Sequence, residues 1–321
     1  MFFKKHWFAF MYGAALLSFT LYLLADTFLI SRIYTVVAEA PAAITVSVQT
    51  AEESQTEITT GLMTGDAETE DIINSSSEPI MSETSYSDEN ISVELTTYRL
   101  NETTVYVADV QVASADYLKT AFAENTYGRN VTEKTSSIAS NVNAIIAVNG
   151  DYYGAQRSGY VIRNGILYRS VSSNSEDLVI YQDGSFSVID ESEITAEKLI
   201  ENGAWNVLSF GPGLVIDGEI AVSVNEEVGR AKASNPRTAI GIIDELHYVF
   251  VVADGRTSES EGLSLYELAE FMQSLGVETA YNLDGGGSSS MFFCGTLINN
   301  PTTGGNKTNE RSVSDIVYIG Y

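Results

Sequence analysis

An uncharged apolar run from Trp7 to Leu24 constrains this chain more than any other feature. With Phe28 to Ile30 added beyond Asp26, it is long enough to cross about 30 Å of hydrocarbon as a helix. The expected layout is therefore a short N-terminus at residues 1–6, a spanning anchor at 7–30 and everything else on the far side. Lys4 and Lys5 before the run favour a cytoplasmic N-terminus, although Arg32 on the other flank reduces the asymmetry. A signal peptide cleaved near Ala38-Glu39-Ala40 is the rival. That site stands too far beyond an apolar run too long for a signal peptide, so an uncleaved single-pass anchor is preferred. Either way the remainder is expected outside the cytoplasm.

The next segment cannot make a core. Between Arg32 and Arg99 there is no Lys or Arg, against thirteen Asp or Glu, with stretches such as "NSSSEPIMSETSYSDEN". Such a composition buries too little apolar surface to offset ordering, so residues 31–90 are expected to be a disordered, self-repelling tether. Only "AAITVSVQT" alternates like a strand, and it is isolated.

From Ile91 to Tyr321 the pattern changes to alternating apolar runs broken by turn pairs. "ISVELTTYRL" and "TTVYVADVQV" flank Asn101-Glu102; "GYVI" and "ILYRS" flank Asn164-Gly165, a type I′ hairpin signal. Further hairpins are expected at Asp183-Gly184 and Asp244-Glu245. One helix is well marked: Ser264 and Glu267 form a capping box, Leu265, Leu268, Phe271, Met272 and Leu275 share a face, and Gly276 ends it. The fold class expected is α+β or mixed α/β, a single sheet-rich domain with a few helices. "HYVFVVADG", this helix and "TAYNLDGGG" read as a βαβ unit that brings Asp254, Arg256, Asn282 and Asp284 to one sheet edge.

Charge and residue counts exclude several functions. Seventeen Lys and Arg against 43 Asp and Glu give a formal charge of −26, which repels nucleic acid. A single cysteine, Cys294, rules out an internal disulfide and a Cys-rich zinc site. Of the two histidines, only His247 lies in the domain, inside an apolar strand, a poor place for a Ser-His-Asp triad. Chemistry must then rest on carboxylates, arginines, amides and backbone.

Five stretches offer those groups. "NLDGGGSSSM" puts Asn282 and Asp284 at a strand end before Gly285, Gly286, Gly287 and Ser288, where amides can face an anion without Cβ interference. A plain Gly/Ser turn has the same composition. "NPRTAIGI" places Arg237 at a strand entrance, either as a fork for phosphate or carboxylate or as a rim salt bridge. "VNGDYYG" sets Asn149, Asp151, Tyr152 and Tyr153 after a buried strand, a carboxylate beside sugar-stacking rings or an ordinary turn with core aromatics. "ADGR" adds Asp254 and Arg256, and "NERSVSDIVYIGY" adds Arg311 and Asp315; Gly304-Gly305 nearby suit a closing loop.

Taken in order, "VNGDYY", "NPRTAIG", "VVADGR", "GLSLYELAEFMQSLGVETAYNLDGGGSSSM" and "NERSVSDIVYIGY" resemble the phosphodiester glycosidase family, over roughly Asn143 to Tyr321. The resemblance implies a hydrolase that cleaves a sugar-1-phosphodiester at the glycosidic bond, releasing sugar and phosphomonoester. A role in exopolysaccharide or other cell-surface glycan metabolism is expected. It carries family motif positions onto Asn149, Asp151, Arg237, Asp254, Arg256, Asn282, Asp284, Gly285, Gly286 and Arg311. Glycosidases generally use two carboxyl groups; Asp284 and Asp151 are the preferred pair, with Asp254 as substitute and Asn282 beside them. Asn149, Arg237, Arg256, Gly285 to Gly287, Ser288 and Arg311 are expected to hold the substrate and its phosphate. No cofactor is required, but clustered aspartates also suit a divalent cation such as Ca2+. Two alternatives stay open: a non-catalytic, membrane-tethered module that binds anionic glycan, and a membrane-anchored glycopolymer phosphotransferase.

Overall fold

The computed structural model describes residues 2–36, 79–228, 234–303 and 308–321. "AAITVSVQT", most of the expected tether and the Gly304-Gly305 loop lie outside the described residues. The apolar run is one helix, Phe2–Phe28, within which Phe10–Thr27 is long and apolar enough to cross a membrane. Trp7, Phe10, Leu17 and Leu24 all project into the surroundings rather than into a core.

Three sheets build the domain, with every ladder between the described strands antiparallel. A nine-stranded sheet contains Thr279–Asn282, Arg237–Asp244, His247–Ala253, Thr103–Val112 and Ile91–Leu100 side by side. Continuous apolar runs in its middle strands show why it is buried on both faces. Val249, Val251 and Ala253 point to the helix Leu265–Ser274, while Tyr248, Phe250 and Val252 point to the second layer. That layer holds a five-stranded sheet centred on Ile146–Asn149 and Asp315–Ile319, and another centred on Ala204–Leu208. Short helices Thr135–Asn141 and Ala196–Glu201 cover their outer faces through Ile138 and Leu199.

The turn signals hold. Asn101 and Glu102, and Asn164 and Gly165, all have positive φ, as a two-residue I′ hairpin requires. Ser264 and Glu267 exchange hydrogen bonds at the helix start, and Gly276 closes it at φ +83°. The βαβ reading needs one change. His247–Ala253 and Thr279–Asn282 do run parallel, but Arg237–Asp244 lies between them and pairs antiparallel with both. The inserted strand starts where the other two end, with Arg237 opposite Ala253 and Ala239 opposite Asn282, so all three deliver residues to one edge.

Ordered structure also begins earlier than Ile91. Strands Ile80–Met81 and Ser85–Ser87 extend the large sheet, anchored by buried Tyr86, whose hydroxyl donates to Asp88 at 2.5 Å. Asp88 in turn accepts from the Asn90 and Ile91 amides, each at 2.8 Å. Arg32–Val36, placed in the tether by composition, is a strand paired with Thr126–Arg129. The β-branched and aromatic "RIYTV" outweighs the surrounding acidity.

Candidate active site

Two cavities meet at one sheet edge. The larger, about 520 Å³, is lined by Asp151, Tyr152, Asp284, Ser288, Arg311 and Thr27, among others. The smaller, about 210 Å³, is lined by Arg237, Arg256, Asn282, Gly285 and Gly286. Asp284 and Arg311 line both.

Asp284 follows the strand Thr279–Asn282 and is held by its backbone from two sides. The buried Asn149 amide donates to the Asp284 carbonyl at 2.6 Å, and the Asp284 N–H reaches the Gly150 carbonyl at 3.3 Å. Asn149 is fixed in turn, its Oδ1 accepting from Thr238 Oγ1 at 2.8 Å and from the Ser290 amide at 3.2 Å. Asn149 therefore positions the turn that carries Asp284. Burial pushes the Asp284 carboxyl up to about 6, assisted by the charge of Asp151 and opposed by the Ser288 hydroxyl, Arg311 and the Gly285 amide.

Asp151 is in a different state. Its Oδ1 accepts from the Tyr153 amide at 2.9 Å; its Oδ2 accepts from the Ser209 amide at 2.9 Å and Arg163 Nη2 at 2.8 Å. Arg163 also donates to Asp315 Oδ2 through Nε at 2.9 Å and Nη2 at 2.7 Å. One buried guanidinium thus serves two buried carboxylates. Burial, followed by the charge of Asp151, raises the Asp315 carboxyl. The arrangement leaves no room beside Asp315: a Cβ on Gly150 would fall 2.3 Å from its Oδ1.

The glycine turn works differently from an amide nest. The Gly286 N–H is committed to the Pro236 carbonyl at 2.8 Å, and the Gly285 amide bonds the Asp284 carboxylate. What the turn supplies is room for cations. A Cβ on Gly286 would meet Arg256 Nη2 at 2.8 Å, and one on Gly287 would meet Arg311 Nη2 at 2.9 Å. Arg256, Arg311 and Arg237 are close enough that the other two, after burial, lower the pKa of Arg256. This cluster is unusual in so acidic a chain and suits an anion.

Arg237 itself is buried and engaged, Nε with the Leu263 carbonyl at 2.8 Å and Nη2 with Glu227 at 2.5 Å. Asn282 donates to the Gly211 carbonyl at 2.7 Å along the same wall. Asp254 is a correction: it lines neither cavity. It holds the neighbouring loop, accepting from Asn299 Nδ2 and the Asn300 amide, both at 3.0 Å. Tyr152 and Tyr153 divide the roles foreseen for them. Tyr152 is 42% exposed on the cavity wall, whereas Tyr153 is buried among Phe122, Tyr127 and Tyr168. His247 sits at the far end of its strand, 2.9 Å from Asp109. Among the described residues no three His, Cys, Asp or Glu side chains converge as a metal ligand set.

Sequence reading left Arg163 unnoticed and gave Asp315 and Ser209 no role. A lone arginine inside the apolar "YVIRNG" strand was the available signal, because a buried cation demands a buried partner.

Residues 142–320 match the phosphodiester glycosidase family model, more than half of the chain. The chain belongs to the phosphodiester glycosidase family. Among its relatives is N-acetylglucosamine-1-phosphodiester alpha-N-acetylglucosaminidase from Mus musculus, 46% identical over 175 residues, covering 49% of this chain and 33% of the relative. The Bacillus subtilis prophage-derived protein YomE is 30% identical over 201 residues, covering 61% of this chain and 31% of YomE. The chain thus spans about a third of the length of these relatives. The catalytic domain of the zebrafish N-acetylglucosamine-1-phosphodiester enzyme, auto-inhibited by its pro-peptide, shares the fold at a TM-score of 0.57 and 21% identity. That likeness covers 72% of this chain and 83% of the zebrafish chain. A hypothetical protein from Synechocystis has a TM-score of 0.57 at 14% identity, over 72% and 62% of the two chains.

Proposed function

We propose that this domain hydrolyses a sugar-1-phosphodiester at the glycosidic bond, releasing sugar and phosphomonoester, on the outer side of a membrane that the Phe2–Phe28 helix spans. One observation carries the reading: Asp284 stands where a carboxylate-and-tyrosine cavity meets an arginine-lined one. A substrate with a sugar on one side and a phosphate on the other fits that division. The sugar lies in the larger cavity against Tyr152, and the phosphate lies by Arg256 and Arg311, with C1 between them at Asp284.

As the bond from C1 to the phosphate oxygen breaks, its electrons pass to the phosphate, whose charge grows toward that of a monoester. Arg311 and Arg256 stabilise that charge, so the leaving group needs little protonation. The ionised Asp284 carboxylate supports the oxocarbenium-like carbon as nucleophile, or as base on the attacking water; either role requires the carboxylate. Asp151, saturated by its three donors, supplies fixed negative charge along the same wall. A relative named for N-acetylglucosamine-1-phosphodiester cleavage supports the substrate class. Exopolysaccharide or other surface glycan is the setting proposed for it.

The test is a panel of sugar-1-phosphate diesters incubated with the full chain and followed by NMR. Stoichiometric free reducing sugar and phosphomonoester support the hydrolase; binding without turnover supports a glycan-binding module, and phosphate retained on an acceptor supports a transferase. EDTA dialysis is expected to leave turnover intact, whereas loss restored by Ca2+ would support a cation among the carboxylates.

A further inference from the structure

We propose that the cleft opens at the membrane surface and takes a lipid-borne substrate, a glycosyl phosphodiester whose aglycone stays in the bilayer. The proposal rests on the hydrolase and membrane-span readings above and specifies their substrate class.

Thr27 closes the apolar stretch Phe10–Thr27, and the same residue lines the larger cavity with Asp151, Tyr152 and Asp284. Eighteen helical residues rise about 27 Å, close to the hydrocarbon thickness. If the helix spans, Thr27 stands at headgroup depth, and so does that wall of the cavity. A lipid-linked sugar phosphate carries its scissile bond at the same depth.

The helix end is built into the domain. Asn130 Nδ2 donates to the Thr27 and Ile30 carbonyls at 3.3 and 3.0 Å, and Arg129 Nη2 donates to Thr27 at 3.3 Å. These bonds satisfy carbonyls that a helix C-terminus otherwise leaves open. Ser31 Oγ donates to the Asn130 carbonyl at 2.8 Å. Asp26 pairs with Arg32, and Arg32–Val36 then runs antiparallel to Thr126–Arg129 with Tyr34 packed 5.6 Å from Tyr127. Gly128 permits this approach, since a Cβ there would lie 2.5 Å from the Arg32 carbonyl. The cleft is thus held at a fixed height above the helix.

Beside the same helix end lies a second cavity of about 370 Å³, lined by Arg32, Arg129, Arg157, Arg169, Tyr34 and Tyr127. Four of the chain's 17 basic residues gather here: Arg32 and Arg157 are exposed, Arg129 is buried against the helix end, and Arg169 donates to the Gly159, Tyr153 and Gln156 carbonyls. Arginine and tyrosine at headgroup depth match an anionic lipid surface, which attracts each basic residue by about 1 kcal/mol. In a chain of charge −26, this patch turns one face toward the membrane while the rest is repelled.

The experiment uses the full chain in vesicles of phosphatidylcholine and phosphatidylglycerol. Two diesters of one sugar-1-phosphate are compared at equal bulk concentration, one to a diacyl lipid in the same bilayer and one to methanol. The lipid-borne diester should turn over at least about tenfold faster, because the cleft is held at the depth of its scissile bond. Inserting ten Gly/Ser residues between Leu29 and Ile30 frees the cleft from headgroup depth and should remove that advantage, read as the ratio of the lipid to the methyl diester rate within the same variant. Equal rates in the unaltered chain, or a lipid preference that survives the insertion, would overturn the membrane-facing cleft alone. Cleavage of neither diester would overturn the hydrolase reading and this proposal with it.

Discussion

Two loops lie side by side at the cleft, bonded through Asn149, Gly150 and the Asp284 backbone, and each puts an aspartate just past the end of a buried strand. Asp151 follows Ile146–Asn149 and Asp284 follows Thr279–Asn282, yet their surroundings differ. Asp151 accepts from two backbone amides and a fully buried arginine. Asp284 stands between two cavities, with a carboxyl that burial pushes up to about 6. Residue type and strand position are shared; Asp151 is tied to a buried guanidinium, whereas Asp284 lines both cavities.

The comparison breaks most readily at Asp284. Asp284→Asn should lower kcat/KM on a sugar-1-phosphodiester by at least about 10⁴-fold, the scale seen when a reacting group is lost. The same variant carries a stability signature. Because its folded-state pKa lies above the ordinary value of 3.8, Asp284 contributes stability that is complete below about pH 4 and lost as pH rises through about 6. Denaturant melts should therefore show no gain for Asp284→Asn at pH 4 and a gain of about 3 kcal/mol at pH 8. In the unaltered enzyme, kcat/KM should fall about tenfold per unit below pH 6, where the carboxylate is protonated.

On the other loop the failure should be structural. Arg163→Ala leaves Asp151 and Asp315 buried without their shared cation and should cost about 3–5 kcal/mol of stability, read from chemical denaturation. Arg311→Ala removes the cation that lines both cavities and should reduce kcat by about 100- to 1000-fold with an unchanged melting profile. The smallest effect is expected at Asp254. Asp254→Asn should cost about 1–2 kcal/mol by loosening the Asn299–Asn300 loop while kcat stays within a few-fold. A large kcat loss there with normal stability would return Asp254 to the chemistry.

Much of this was legible in the sequence where signals are local. Turn pairs with positive φ, the Ser264–Glu267 capping box and the apolar helix all formed where short-range rules put them. Arg237, Arg256, Asn282 and Asp284 did reach one edge, because the helix Leu265–Ser274 returns the chain parallel to His247–Ala253, while Asn149 and Arg311 come to it from other parts of the chain. Four things were hidden because each depends on tertiary contacts that no local pattern shows. Arg163 acquires its role only from Asp151 and Asp315, the latter 152 positions away. Arg237 is spent partly on Glu227, and Asp254 on a loop some 45 residues downstream, contacts that no periodicity reveals. The strand Arg32–Val36 was masked by the acidic composition around it; its pairing with Thr126–Arg129 is set by tertiary contact.

The central claim is that water enters at the sugar carbon and not at phosphorus. Hydrolysis of a sugar-1-phosphodiester in ¹⁸O-labelled water, with both products analysed by mass spectrometry, tests it directly. One ¹⁸O is expected on the anomeric oxygen of the released sugar and none on the phosphomonoester, with release of both products lost in Asp284→Asn. Label in the phosphomonoester, or full turnover without Asp284, would contradict it.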